Sequence, residues 1–364
     1  MDLIGERTKR EETVLDSRAS PRSVAQVSVV VVNHNRAGLL KECLKSLLNQ
    51  SVPPLEVIVV DNGSRDESCD LVRSFSNSRI RLVSLSENRG FAEACNIGIR
   101  TSQGEFVALL NNDAVADKDW LEQLVAEGNR HPEAGMFACK IRLYGTTLID
   151  KAGHLLFPDG QNRGRGTGEP DSRQYDDPGE TLFPDGCAAM YRRELLEETG
   201  GFDEDFFAYA DDADLGLRAR LLGWSCRYVP SAIVHHHHSS TVGAFSEQKV
   251  YWIERNRLWL AIKIFPIPLL LLNPFFSVYR WAWNLYAALS AKGVAGRFRR
   301  EHSLGLLAKT LLLAYRDAIR GFPHMLSKRR TVRRRRRISD LEFYCLLWRY
   351  RISALTLALG GGEE

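Results

Sequence analysis

Between residues 27 and 143, short apolar runs alternate with stretches whose apolar residues recur at helical spacing. The runs are rich in Val and Ile and several end in polar residues, as buried strands do. Because strands that alternate with helices form parallel βαβ units, this pattern predicts an α/β fold with a doubly wound, mostly parallel, Rossmann-like sheet. The predicted strands are 27–32, 55–60, 80–85, 106–110 and 136–143, followed by 185–190 and 228–234.

By composition the chain divides into three parts. Residues 1–25 are polar and charged, lack the apolar core of an export signal and are expected to form a flexible tail. Residues 26–250 carry the strand–helix pattern, and residues 251–364 are expected to form a helical, basic region. Seven scattered cysteines without a CxxC pair argue against a disulfide framework and are typical of a reducing compartment. We therefore expect a cytoplasmic protein.

Positive charge is concentrated towards the C-terminus. Residues 292–351 contain 17 Lys and Arg against four acids, and five arginines are consecutive at 333–337. The preceding segment 264–279 is uncharged but is interrupted by three prolines, and a spanning helix needs about 20 apolar residues. We expect this region to lie on an anionic membrane surface, peripheral to the inner face of the cell membrane, rather than to span it. A solvated basic tail is the alternative.

The fourth predicted strand ends abruptly in Asn111, Asn112 and Asp113. In open α/β sheets, ligands collect at the carboxyl ends of the strands. A carboxylate beside amide oxygens suits Mg²⁺ or Mn²⁺, which prefer oxygen ligands and often share them with phosphates. The pattern indicates a cation site at Asp113. A simple turn is the alternative, because Asn and Asp are common turn residues.

Polar groups also follow the first two strands, with Asn33 and Asn35 after one and Asp61 after the other. Adjacent parallel strands that end in polar residues form a cleft suited to a nucleotide. The segment 87–96 opens a helix near the same edge, where backbone N–H groups can meet a phosphate. Neither GxGxxG after the first strand nor GxxxxGK[ST] occurs, so dinucleotide-binding and P-loop chemistry are not expected.

Residues 145–184 are rich in Gly, Asp, Arg and Pro. We expect a mobile loop that could close over a bound ligand, with a hairpin near 152–157.

Three acids, Asp211, Asp212 and Asp214, open the helix predicted at 211–222. Their position suits an ionised carboxylate acting as general base. Helix capping is the alternative, since Asp is a favoured N-cap residue. Four consecutive histidines follow the last predicted strand. In an extended chain His236 and His238 share one face, where an imidazole can bind a metal.

Taken together, these segments resemble the family 2 glycosyltransferases of bacteria, which have the GT-A fold, and the C-terminal region resembles the rhamnosyltransferase-like members. The resemblance covers about residues 27–240. It rests on the order of seven pieces: Val-Val-Asn-His-Asn at 31–35, Asp-Asn-Gly-Ser at 61–64, Asn-Arg-Gly-Phe at 88–91 with Asn96, Leu-Leu-Asn-Asn-Asp at 109–113, Asp-Gly at 185–186, Gly-Gly-Phe-Asp at 200–203, and Asp-Asp-x-Asp-Leu at 211–215.

The resemblance implies a role for each group. Asp113 stands in the family's D-x-D metal motif, with Asn111 in place of the first acid. Asp212 matches the second acid of the Glu-Asp pair, the catalytic base, and Asp211 replaces the Glu. His236 is the third expected metal ligand, with His238 as the substitute. Asp61 is expected to contact the base of the nucleotide, together with the remaining nucleotide-binding residues Asn33, Asn35, Asn88, Gly90, Asn96, Asn111 and Asn112.

The implied activity is metal-dependent, inverting sugar transfer from a nucleotide sugar, such as dTDP-rhamnose or a UDP-sugar, to a glycan or lipid-linked acceptor in cell-surface polysaccharide synthesis. The cofactor is Mg²⁺ or Mn²⁺, and no nucleic-acid partner is expected. Two rivals remain open. A sugar nucleotidyltransferase usually has a Gly-rich basic loop after the first strand, which residues 33–36 lack. A non-catalytic protein that binds anionic membranes through its arginine run is the other.

Overall fold

The computed structural model describes residues 26–238, 246–293, 295–296 and 303–360, so the tail expected at 1–25 lies outside the described residues. The strands are β1 Val27–Asn33, β2 Glu56–Asn62, β3 Ile80–Leu85, β4 Phe106–Leu110, β5 Ala114–Ala116, β6 Ala134–Leu143, β7 Ile149–Lys151, β8 His154–Leu156, β9 Asn162–Gly164, β10 Gly179–Glu180, β11 Ala188–Arg192 and β12 Ser225–His236.

The helices alternate with these strands and then continue alone through the C-terminal region. They are α1 Ala37–Leu48, α2 Ser68–Ser74, α3 Phe91–Thr101, α4 Trp120–Arg130, α5 Arg193–Thr199, α6 Asp211–Leu221, α7 Glu247–Ile264, α8 Ile267–Leu289, α9 Leu304–Arg320, α10 Phe322–Arg335, α11 Asp340–Arg349 and α12 Ala354–Leu359. A short 3₁₀ turn, Glu204–Phe206, precedes α6.

The central sheet has the strand order β10-β12-β6-β11-β4-β1-β2-β3. Strands β1, β2, β3 and β4 pair in parallel, as do β6 and β12, whereas β11 is antiparallel to both of its neighbours. Apolar side chains fill both faces of the sheet, with α1, α2 and α4 on one face and α3, α5 and α6 on the other. The predicted α/β fold with a mostly parallel, doubly wound sheet is confirmed.

The register of the parallel strands brings the predicted polar groups to one edge. Asn33, the last residue of β1, lies beside Asp61 of β2. Strand β4 also pairs with β1 and ends at Leu110, so the residues that follow it emerge at this same edge. Buried hydrophobic strands therefore place three polar strand ends together, as the sequence pattern predicts.

Residues 145–184 differ from the mobile loop expected from their composition. They form β7, which pairs antiparallel with β6, the β8–β9 hairpin, and β10, which pairs antiparallel with β12. Leu156 N donates to Tyr350 O at 2.9 Å, and Leu156 O accepts from Ile352 N at 3.3 Å. These two backbone bonds attach the hairpin to the C-terminal region. The predicted hairpin is present, but it spans residues 154–164 rather than 152–157. The conformation of this segment therefore depends on its packing against a distant part of the chain rather than on its composition.

A buried cluster of four charges connects the hairpin to the helices that follow the sheet. Asp159, at the tip of the β8–β9 hairpin, accepts from Arg280 Nε of α8 at 2.6 Å and lies 3.5 Å from Arg257 Nη1 of α7. Both arginines also contact Glu254, at 2.7 and 3.0 Å. All four side chains are buried. Burial alone would raise the pKa of Asp159, but Arg280 and Arg257 more than offset it and hold that pKa below its ordinary value.

Helix α7 crosses the domain boundary expected at residue 250 and packs on α6, α9 and α10. Its neighbour α8 presents an apolar face to solvent, and its one charged residue, Arg280, points inward to the cluster. The exposed residues of this face are Ile267, Leu271, Leu272, Phe275, Val278, Tyr279, Leu285, Tyr286 and Leu289. In the described ranges, no helix combines the length and hydropathy needed to cross a membrane.

We predict that Arg280→Met lowers the free energy of unfolding by about 3–5 kcal/mol, because it leaves buried carboxylates without one of their two cations. Urea denaturation measures the change. Arg73→Met, which removes an exposed pair with Asp70, is the control and should leave the midpoint nearly unchanged. Equal stability of Arg280→Met and the unaltered protein would contradict the stabilising role of the cluster.

Candidate active site

A cavity of about 520 Å³ opens where β1, β2 and β4 end. Its walls come from these strand ends, from the 150–167 part of the hairpin segment, from the loop and first turn of α6, and from α7. Four separate parts of the chain therefore converge on one cleft, and the cleft lies at the edge where the sequence places its candidate site.

Amide and carboxylate groups form a continuous network under one wall of this cavity. Asn33 Nδ2 donates to Asp61 Oδ1 at 2.9 Å, and Asn33 Oδ1 accepts from Asn112 Nδ2 at 2.7 Å. Asp61 Oδ2 accepts from the backbone N–H of Ser64 at 3.0 Å. Asn33 and Asp61 are buried behind the cavity surface, whereas Asn112 and Asn111 line it. The network fixes the orientation of the Asn112 amide.

A second set of bonds fixes the start of α3. Asn62 Nδ2 donates to Asn88 Oδ1 and to Gly90 O, both at 3.1 Å, and Asn62 Oδ1 accepts from Arg89 N at 2.8 Å. Gly90 has a φ of 90°, and a Cβ there would meet the Phe207 ring at 2.7 Å. Asn62 and Asn88 line the cavity, whereas Gly90 supports it from behind.

Two of the predicted nucleotide-binding residues lie elsewhere. Asn96 donates to Phe202 O and Glu204 Oε1, both at 2.9 Å, and accepts from Phe202 N at 2.8 Å. It lines a separate cavity between the sheet domain and α10, where its amide holds the 200–205 turn, and it is absent from the lining of the cavity at the strand ends. Asn35 accepts from Arg65 N at 2.9 Å and is absent from the cavity lining.

A cluster of carboxylates and imidazoles forms around the end of β12. His236 Nε2 lies 3.2 Å from Asp113 Oδ1, and His236 Nδ1 lies 2.8 Å from Asp150 Oδ2. His238 Nε2 lies 3.7 Å from Asp150 Oδ1. The alternating histidines face as expected: His235 and His237 contact Asp117 and Glu42 on the other side of the strand.

Asp150 also belongs to this cluster, although no sequence pattern predicts it. Its Oδ1 is buried and has no hydrogen-bond partner within the described residues, which is unfavourable unless a cation meets it. Carboxylate oxygens and imidazole nitrogens are suitable ligands for Mn²⁺, and oxygens for Mg²⁺. The ligand atoms of Asp150, His236 and His238 lie within 4.8 Å of one another. The residues present therefore fit a divalent cation.

Two lysines bring positive charge to the same cavity. Lys151 Nζ lies 3.5 Å from Asp150 and 3.1 Å from Asp185, so it stands between two groups of carboxylates. Lys249 of α7 lies near the aromatic ring of Tyr209, and no carboxylate of the described residues is within ion-pair distance of it. Burial lowers the pKa of Lys249, and Lys151 lowers it further. An anion in the cavity would meet this largely buried ammonium group.

The acidic run at the start of α6 separates into three environments. Asp214 is fully buried and pairs with Arg218 and Lys263, each at 2.7 Å, so it is structural. Asp211 is nearly buried, and burial together with the neighbouring Asp212 raises its pKa well above its ordinary value. Asp212 is the more exposed of the pair. Ala210 is the N-cap residue of α6, so none of the three acids occupies that position, although Asp212 Oδ1 accepts from the backbone N–H of Ala213 in the first turn at 2.7 Å.

The Asp212 carboxylate faces the pair formed by His154 and Asp185, which no sequence pattern predicts. His154 Nε2, on β8, lies 3.8 Å from Asp212 Oδ2 and 2.9 Å from Asp185 Oδ2. The backbone N–H of Gly186 points to Asp212 Oδ2 at 3.3 Å. Burial raises the pKa of Asp212; His154 opposes this effect and Asp185 adds to it, so the pKa stays raised. Asp212 is suited to accept a proton from a group in the cavity.

Comparison with known proteins gives the same assignment as these motifs. Residues 28–200 match the model of Glycosyl transferase family 2. The chain is 30% identical over 261 residues to the O-antigen biosynthesis protein RfbC of Myxococcus xanthus, a match that covers 66% of this chain and 20% of that protein. It is 29% identical over 238 residues to an N-acetylglucosaminyl-diphospho-decaprenol L-rhamnosyltransferase of Mycobacterium tuberculosis, with 59% and 77% covered.

Among solved structures, the chain is similar to the mannosyltransferase PcManGT from Pyrobaculum calidifontis in complex with GDP-Man and Mn²⁺. The TM-score is 0.50, the identity is 22%, and 86% of each chain is covered. This likeness shows the fold, which is GT-A. The first five curated relatives are matched over less than two thirds of their own length. The resemblance expected from the ordered motifs is confirmed.

We predict that Asp150→Asn and His236→Gln each weaken Mn²⁺ binding by about 10- to 100-fold, because they remove a ligand or the group that orients it. Electron paramagnetic resonance of free Mn²⁺, with a nucleoside diphosphate present, measures the affinity. His237→Gln is the matched control, since this histidine of the same run faces away from the cavity. Equal affinity in all three variants would contradict the assignment of the cluster.

Proposed function

Residues 28–200 belong to glycosyl transferase family 2, and from this premise we propose that the protein is an inverting glycosyltransferase. It moves a sugar from a nucleotide-sugar donor, such as dTDP-rhamnose or a UDP-sugar, to a hydroxyl of a glycan or lipid-linked acceptor in cell-surface polysaccharide synthesis. One observation carries the proposal: a carboxylate with a raised pKa, Asp212, lines the same cavity as the Asp113–His236 cluster. A base and a phosphate-binding centre in one cleft are what this reaction requires.

The donor nucleotide is proposed to lie over the amide network at the ends of β1 and β2. Asn88, Asn111 and Asn112 line the cavity there and are available to contact it directly. Asp61 and Asn33 hold Asn112 from behind, and the proposed contact of Asp61 with the base rests on the family resemblance of its motif. The names of the relatives in Myxococcus and Mycobacterium support a cell-surface glycan as the product class.

The cation, Mg²⁺ or Mn²⁺, is proposed to be held by Asp113 and His236, with Asp150 and His238 as the further candidate ligands. When bound, such a cation neutralises the negative charge that develops on the departing nucleoside diphosphate. Because Asn111 replaces one acid of the family motif, the protein supplies fewer negative charges at this position. Lys151 and Lys249 add positive charge to the same wall, and we propose that they contact the diphosphate.

Asp212 is proposed to take the proton of the acceptor hydroxyl. As the proton moves to the carboxylate, the acceptor oxygen forms its bond to the anomeric carbon and the bond to the diphosphate oxygen breaks on the opposite face. One displacement inverts the configuration, so no carboxylate has to form a covalent intermediate. Burial and the neighbouring Asp212 raise the pKa of Asp211 well above its ordinary value, which favours the neutral form of Asp211 beside the base.

We predict that Asp212→Asn lowers kcat by about 10²- to 10⁴-fold, the range for a general base, while the Kd of the nucleotide sugar changes less than about twofold. A panel of dTDP-, UDP- and GDP-sugars with Mg²⁺ or Mn²⁺ identifies the donor from release of nucleoside diphosphate. Asp214→Asn, which alters a buried pair, is a control for stability. Full transfer activity in Asp212→Asn would contradict the assignment of the base.

The pH dependence of kcat gives a second prediction. Transfer requires ionised Asp212, so kcat falls as pH decreases through its raised pKa. The groups that face this carboxyl are His154, Asp185, Asp211 and the buried Tyr191. Because His154 acts to lower the pKa of Asp212, His154→Gln should shift the acid limb of the kcat profile to higher pH. His131→Gln, outside the site, should leave the limb in place, and a shift of the His154→Gln limb to lower pH would refute the coupling.

We further propose a cytoplasmic enzyme held peripherally at the inner face of the membrane, with the exposed face of α8 as its contact. The expected arginine run is largely engaged within the protein: Arg333 and Arg336 pair with Asp340, and Arg337 pairs with Glu198. The α8 face is instead uncharged and long, which suits insertion at the headgroup boundary. This contact would bring the cleft to a lipid-linked acceptor.

We predict that Leu271→Glu with Phe275→Glu reduces co-sedimentation with phospholipid vesicles at least tenfold, since two charges would enter the apolar layer. The matched variant carries Arg330→Gln with Arg334→Gln, two exposed arginines for which the described residues show no ion pair. It should retain binding to neutral vesicles. Salt-sensitive binding that depends on the arginines alone would show that electrostatics, rather than α8, attaches the protein.

A further inference from the structure

We propose that Asn256 of α7 is a positioning residue for the reaction: its side-chain amide holds the Phe206–Tyr209 loop in the conformation that aims Asp211 and Asp212 into the cavity. The inference rests on the proposed role of Asp212 as the base. The proposal gives α7 a role in positioning the base, although the sequence pattern places most of α7 in the C-terminal region.

The loop that leads into α6 has an unusual backbone. Phe207, Tyr209 and Ala210 have φ values of 63°, 66° and 60°, a left-handed region that residues with a Cβ rarely adopt. Helix α6 begins at the next residue, Asp211. The direction of its first turn, and therefore of the Asp212 carboxylate, depends on this backbone. Such a conformation persists only where the surroundings impose it.

Asn256 supplies that restraint from within the protein. It is fully buried, and its Nδ2 lies 2.9, 2.8 and 2.7 Å from the carbonyl oxygens of Phe206, Ala208 and Tyr209. Its Oδ1 accepts from Arg255 Nε at 2.9 Å. The two hydrogens of the amide nitrogen are shared among three carbonyl oxygens that point inward. Only a side chain with more than one donor hydrogen can satisfy these carbonyls here. Both the nitrogen and the oxygen of the Asn256 amide therefore form hydrogen bonds.

Other contacts hold the loop against the same helix. The Phe207 ring stacks on Trp252 of α7 with 5.1 Å between ring centroids, and Phe207 O accepts from Phe91 N at 2.6 Å. The glycine at position 90 leaves room for this ring. The loop is therefore clamped between the start of α3 and α7, and the catalytic unit extends through α7 rather than ending at residue 250.

The part of the donor side that follows β4 has no contact with Asn256. Asp113, Asn111 and Asn112 follow β4, and the contacts of Asn256 are with the 206–209 loop and Arg255. A displacement of the base by about 1 Å costs rate, because reacting groups must be oriented closely, while donor binding is kept. The expected signature is a loss in kcat without a loss of donor affinity.

The test measures single-turnover transfer and donor binding in Asn256→Ala. We expect the rate to fall about 10- to 100-fold, with the donor Kd within about twofold of the unaltered protein and one donor site per chain. Tyr251→Phe is the matched control, because it also removes one α7 side-chain bond, to Asp317 of α9, and should leave the rate unchanged. If Asn256→Ala does not fold, Asn256→Ser keeps one donor and should give an intermediate loss.

A double-mutant cycle separates positioning from general damage. If Asn256 acts through Asp212, then Asn256→Ala changes the residual rate of Asp212→Asn by less than about twofold. Additive losses, a parallel fall in donor-binding sites, or a rate equal to that of the unaltered protein would overturn the proposal. If Asp212→Asn itself transfers at full rate, the proposed function fails instead, so the two failures are distinguishable.

Discussion

The buried ion cluster at Asp159 is the constraint on which the shape of the cleft depends. Two arginines from α7 and α8 converge on the tip of one hairpin, and Glu254 balances their charge. Removing four charges from water is costly, so this arrangement is favourable only while all four remain together. It ties the hairpin that carries His154 and the helix that carries Asn256 into one body with the sheet. The hairpin segment and α7 form two parts of the cavity wall, and the cluster fixes their positions relative to each other.

Within the cleft, charge is divided into two groups. Asp113 and Asp150 surround His236 at one end, and Asp185, Asp211 and Asp212 lie with His154 at the other. Lys151 contacts a carboxylate of each group. Burial alone would lower its pKa, but Asp150 and Asp185 hold that pKa well above its ordinary value, so the ammonium stays charged between them. We therefore place the cation and the diphosphate at the end with His236, and proton transfer at the end with His154.

The sequence predicted the features that depend on local pattern. The strands of the parallel sheet, the polar group after β4 and the acidic start of α6 follow from hydrophobic runs and the residues that end them. Asp150, His154 and Asn256 were missed because their roles arise from packing between segments far apart in the chain. Strands β7 to β10 are two or three residues long, too short for a periodic signal, and their partners lie elsewhere. The motif position of Asn96 likewise does not reveal that its side chain contacts Phe202 and Glu204.

The central claim is a single displacement at the anomeric carbon with Asp212 as the base. The stereochemistry of the product tests it most directly. Proton NMR of the transferred sugar, recorded early in the reaction with the donor identified by the nucleotide-sugar panel, gives the anomeric coupling constants of donor and product. The account predicts opposite anomeric configurations in the two. Retention of the donor configuration would contradict it, because retention requires an even number of displacements or attack from the leaving-group face.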